Sequence, residues 1–157
     1  MLKKTITYTD YNNTERTEDF YFNLSKSELI GMQLSTAGGF DNLLEQVIKT
    51  QDTAELMRIF KEIILKAYGE KSMDGKYFRK SEEISEAFSQ TEAYNVLFME
   101  MIQDADAASK FIIGIMPKID GVPQIDSSMT TNDMIKMIEE AKVKNANTGN
   151  VPAIESK

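Results

Sequence analysis

The apolar residues of this chain follow two periods in turn. Over residues 3–9, Ile6 and Tyr8 fall on one face and Thr5, Thr7 and Thr9 on the other, the alternation of a strand. Residues 15–22, ERTEDFYF, end in three consecutive aromatics. Between these runs, Asp10-Tyr11-Asn12-Asn13-Thr14 is rich in residues that tolerate turn geometry. The pattern predicts a β-hairpin. Two strands alone are marginal in water, so this hairpin must pack on helices or pair with another chain.

Beyond residue 24 the period lengthens to that of a helix. Ser25 and Glu28 form an S-x-x-E capping box that opens a short helix through about Gln33. Ala37-Gly38-Gly39 breaks it, and Phe40, Leu43, Leu44, Val47 and Ile48 return at helical spacing. Asp52 and Glu55 repeat the cap signal before a stripe of Leu56, Ile59, Phe60, Ile63, Ile64 and Ala67, closed by Gly69 as a C′ residue. Residues 69–80 read as a loop or a small hairpin turning at Asp74-Gly75. Ser81 caps a short helix carrying Ile84 and Phe88. Thr91 caps another, with Tyr94, Leu97, Phe98, Met101, Ile102 and Ala105 in register. Ala108, Phe111, Ile112, Ile115 and Met116 follow, on a separate helix or a continuation of the last one, and end before Pro117.

The composition changes after Pro117. Residues 118–130 read as a linker, 131–145 as an amphipathic helix aligning Met134, Met137, Ile138 and Ala141, and 146–157 as a disordered tail. Residues 1–117 would form the body. The fold expected is mainly α: a small helical bundle with an N-terminal β-hairpin and a tethered C-terminal amphipathic helix.

Composition narrows the chemistry. The 157 residues contain no Cys, His or Trp. That removes thiolate nucleophiles, the usual general base and the commonest transition-metal ligands. The formal net charge is −7, and only Arg16, Arg58 and Arg79 carry guanidinium groups. Phosphate binding depends on clustered basic side chains, so no nucleic-acid partner is expected. No apolar run is long enough to span a membrane, and the N-terminus lacks the apolar core of a secretory signal. We expect no enzyme, no cofactor and no metal site.

Candidate sites fall one by one. Gly38-Gly39 precedes a helix, where N–H groups can hold an anion, but the lysine of a P-loop is missing and a helix breaker suffices. Asp104 and Asp106 suggest a calcium loop, yet Ser109 and Ile115 stand where Gly and Glu would be needed, so helix caps at a break fit better. Glu82, Glu83 and Glu86 read as a solvated face beside the Ser81 cap. Two anomalies remain. From Ser81 to Ser109 there are seven acids and no Lys or Arg, a block that a basic partner would offset if it is not merely a soluble surface. Ten methionines are many for this length. Met101 and Met116 fall on core stripes, whereas Val96 and Met99 fall off theirs, and Met134, Met137 and Ile138 sit on the tethered helix. Flexible, polarizable Met adapts to varied apolar partners, so these five residues are the candidate partner-binding set.

Three stretches carry a resemblance: TITYTDYN…RTEDFYFNLSKSEL, FKEIILKAYGEKSMDGKYFRKSEE and FSQTEAYNVLFMEMIQDADAASKFIIGIMP. Together, over about residues 2–117, they resemble the tail assembly chaperones of long-tailed bacteriophages of Gram-positive bacteria. The resemblance implies a protein that binds the mostly helical tape measure protein, keeps it soluble, helps recruit tail tube subunits, and is absent from the finished tail. It implies a place in the cytoplasm of the infected bacterium and, for many members, a second product made by ribosomal frameshifting. A homo-oligomer is compatible with the hairpin. Two other readings stand beside this one: a structural subunit that stays in the virion, and a small metal-dependent hydrolase.

Overall fold

A computed structural model describes residues 1–35 and 53–117, with isolated positions at 45, 49, 133 and 136. Strands β1 (Leu2–Thr9) and β2 (Glu15–Phe22) form the expected hairpin, paired antiparallel from Thr9↔Glu15 to Leu2↔Phe22. Its turn follows from side-chain chemistry. The Asp10 carboxylate accepts the N–H groups of Asn12 and Thr14, and Asn13 takes φ 60°, a left-handed conformation that Asn tolerates better than most residues. Helix α1 (Lys26–Ser35) opens on the capping box: Glu28 N–H donates to Ser25 Oγ at 3.2 Å, and Ser25 N–H donates to Glu28 Oε2 at 2.8 Å.

Helix α2 (Thr53–Ala67) buries Ile59, Phe60, Ile63, Ile64 and Ala67, as its stripe predicts. Strands β3 (Tyr68–Lys71) and β4 (Phe78–Arg79) come next, then α3 (Glu82–Ser89), α4 (Glu92–Gln103) and α5 (Ala105–Ile115). The four strands make one antiparallel sheet in the order β1-β2-β3-β4.

This sheet corrects the mainly α expectation. Among the described residues 56% are helical and 22% lie in strands, so the fold is mixed α/β rather than a helical bundle with an attached hairpin. Residues 69–80 are part of the reason. They form the small hairpin, not a loop, and Gly75 at its turn has φ +74°. Gly69 is not a C′ cap but a strand residue opposite Tyr21. A Cβ there would lie 2.7 Å from the Arg79 carbonyl oxygen and 2.7 Å from the Phe78 ring, so close strand approach is what demands glycine.

The helices cover the sheet face that carries Ile6, Phe20 and Phe22, and the core joins these to Leu24, Leu29, α2, Phe88, Leu97, Met101, Phe111, Ile112 and Ile115. Phe88 stacks on Tyr68 with centroids 3.9 Å apart, and Phe22 meets Phe111 edge-on at 5.1 Å. After β2 the backbone closes two helix ends. Asn23 N–H donates to the Ala67 carbonyl and Leu24 N–H to the Ile115 carbonyl, both at 2.8 Å, satisfying acceptors that terminal residues leave open. Helices α4 and α5 are separate. Asp104 leaves helical geometry at φ −130°, and its carboxylate accepts the N–H groups of Asp106 and Ala107. Ala105, placed on the α4 stripe from sequence, is instead the exposed first residue of α5. The Gly38-Gly39 break, the helix over 40–48, the linker, the 131–145 helix and the tail lie outside the described residues, and so does any test of the division at residue 117.

Candidate partner-binding surface

Helix α4 is amphipathic because its cap fixes its start. Thr91 Oγ1 accepts the Tyr94 N–H at 3.1 Å, and from there Ala93, Tyr94, Leu97 and Met101 turn inward. The same register turns Val96 (42% exposed) and Met99 (48%) outward. Both residues singled out from sequence on this helix are therefore accessible. Met134, Met137 and Ile138 lie outside the described residues. Of the methionines assigned to core stripes, Met101 is buried and Met116 half-buried.

Helix α4 packs against β1. At one end the Tyr11 hydroxyl donates to the Gln90 carbonyl at 3.0 Å, and partial desolvation, followed by the neighbouring Glu92 carboxylate, holds its phenol above the ordinary range. At the other end Lys4 Nζ meets Glu100 Oε1 at 2.7 Å. Glu100 of the seven-acid block thus meets a cation from a distant strand, which a reading of local sequence could not see. Glu82, Glu83 and Glu86 remain exposed on α3, consistent with a solvated face.

The β3–β4 hairpin has the opposite sign. Lys71 lies 5.0 Å from the Tyr21 ring centroid, Lys80 lies 5.7 Å from that of Phe78, and Lys80 also pairs with Glu28 at 2.9 Å. Met73 at its tip is fully exposed and Tyr77 is 68% exposed. Ile30, Met57, Met73 and Tyr77 are exposed apolar side chains that the sequence reading did not single out. Met57 was recoverable, since it falls off the Ile59–Ile63 stripe; Met73 and Tyr77 sit in a short hairpin without usable periodicity.

Among the described residues no three His, Cys, Asp or Glu side chains gather to hold a metal ion, and no helix is long and apolar enough to cross a membrane. What the described residues offer is contact: outward apolar side chains on an acidic helix packed on β1, and, separately, exposed Met73 and Tyr77 on a basic hairpin.

A family model described as phage tail assembly chaperone matches residues 1–151. The chain belongs to this family, and with that membership comes a role in assembling phage tails. The match continues to residue 151, beyond the stretch of about residues 2–117 that carries the resemblance in the sequence. No match was found among curated proteins or among solved structures.

Proposed function

We propose that this protein is a non-catalytic chaperone that holds the tape measure protein of a long-tailed phage of Gram-positive bacteria in soluble form, and helps bring tail tube subunits to it. The family match carries the assembly role. The accessible Met99 and Val96 on acidic α4 support the mode of action, because a helical guest with apolar seams needs an adaptable apolar surface beside enough like charge to stay dispersed. By their helical spacing in the sequence, Met134, Met137 and Ile138 are further candidates for contact with the guest. The protein would act in the cytoplasm of the infected cell and be left out of the mature virion.

Co-expression with the tape measure protein tests this. The expected result is a soluble complex that survives purification and is weakened by Met99→Asp combined with Ile138→Asp. A tape measure protein that remains equally insoluble with and without the chaperone ends the proposal. Mass spectrometry of purified particles separates it from the structural-subunit reading, since stoichiometric presence in tails contradicts a transient role.

A further inference from the structure

Of the three arginines, Arg16 pairs with Asp10 and Arg58 with Glu55, whereas Arg79, exposed on β4, makes no ion pair among the described residues. Glu70 stands opposite it in the β3–β4 ladder, and still the two form no ion pair. The Ser72 N–H donates to the Tyr77 carbonyl, which carries the pairing of Glu70 with Arg79 and Lys71 with Phe78 one residue further. Alternate residues of a strand share a face, so Tyr77 and Arg79 lie on one side of this hairpin and Phe78 on the other. That side is the helical one, because Glu70, opposite Arg79, is two residues beyond Tyr68, whose ring stacks on Phe88 of α3. Tyr77 is 68% exposed there.

Helix α3 packs on β3, and its outward residues are acidic. Phe88 is buried and the Ser85 hydroxyl donates to the Leu65 carbonyl at 2.9 Å, which leaves Glu82, Glu83 and Glu86 exposed on the outer side. None of the three makes an ion pair among the described residues. Glu82 and Glu83 gain from the dipole at the start of the helix. Glu86 stands a turn further on, three and four residues from them, where like charges repel. One short stretch, 77–86, thus carries an unpaired arginine beside an exposed ring and three unpaired carboxylates.

We propose that Tyr77, Arg79 and the α3 glutamates form the interface of a two-fold dimer of this chain, in which Arg79 of each copy pairs with Glu83 and Glu86 of the other. The charges choose the occupant. A partner for this surface must offer acid to an arginine and, a few residues away, a cation to glutamates. A second copy does both, because a two-fold axis sets one surface against itself with its order reversed. The guanidinium fork takes a carboxylate through two parallel hydrogen bonds, and Arg and Tyr are among the residues that carry most of the energy of interfaces. The net charge of −7 on each copy does not prevent this, since charges more than about 8 Å apart are screened at physiological salt and contact pairs much less so. This inference does not rest on the tape measure reading, and it leaves Val96 and Met99 to a guest.

Sedimentation equilibrium of the full chain alone is the test, so its failure is distinct from failure to bind a tape measure protein. The wild type should sediment at twice the chain mass. Arg79→Glu makes the surface wholly acidic, and Glu83→Arg combined with Glu86→Arg makes it mainly basic. Each variant by itself should self-associate at least tenfold more weakly than the wild type. All three positions are exposed, and far-UV circular dichroism checks that the fold is kept. Mixed in equal amounts, the two variants should dimerise again. The reversed charge of one then meets the reversed pair of the other, and the remaining Arg79 meets the remaining glutamates. A monomeric wild type overturns the proposal. So does a dimer that survives both reversals, or a mixture no more associated than its two components.

Discussion

Ser109 places a hydroxyl in the core at 1% exposure, with no hydrogen-bond partner among the described residues. A buried, unmatched polar group costs more than a methyl group in its place. Ser109→Ala should therefore raise stability by about 1 kcal/mol, seen as a higher midpoint in urea unfolding. Glu28 is the contrasting case. Burial by itself would raise its pKa, but the Lys80 ammonium and the Ser25 N–H and hydroxyl outweigh burial and hold it below the ordinary carboxylate range. Its contribution is complete above the unfolded value of about 4.3 and is lost as pH falls through the lower folded value. Thermal melts across the acid range should show the wild type losing stability below about pH 5, with Glu28→Gln flattening that dependence.

At the scale of elements, the β3–β4 hairpin leaves no room for a side chain at Gly69. The Arg79 carbonyl 2.7 Å from a Gly69 Cβ is backbone held in the Glu70↔Arg79 pair, so it cannot yield cheaply. Gly69→Ala should cost about 1–3 kcal/mol by overpacking, measured by chemical denaturation. The α4–α5 junction depends on one side chain. Asp104 ends α4 and caps α5, so Asp104→Ala should cost about 1 kcal/mol. These elements also differ in how far they could be read in advance. The first hairpin was legible because strand alternation and Asp-Asn turn chemistry are both local. The helices were legible from caps and stripes. Strands β3 and β4 were legible only as one of two alternatives, a loop or a small hairpin at Asp74-Gly75, because four and two residues carry no period; what joins β3 to the larger sheet is the pairing of Tyr21 with Gly69 and Phe22 with Tyr68 across the chain.

At the scale of the molecule, sheet and helices meet through Phe88, whose ring contacts Phe20, Phe22, Tyr68 and Tyr94. Phe88→Ala should cost about 3–5 kcal/mol, a large part of a typical domain's stability, and lower the melting temperature by roughly 10 °C or more. Which side chains lie outward at Val96 and Met99 was readable from periodicity alone, since a capped helix fixes its own faces. The absence of thiol and imidazole chemistry was equally a matter of composition. Three things needed the folded chain: that β1 stands at the end of the strand order among the described residues, that Lys4 reaches Glu100, and that β3 joins β2. Each depends on residues tens of positions apart meeting in space. Local sequence states what an element is, but only packing decides which neighbour it has.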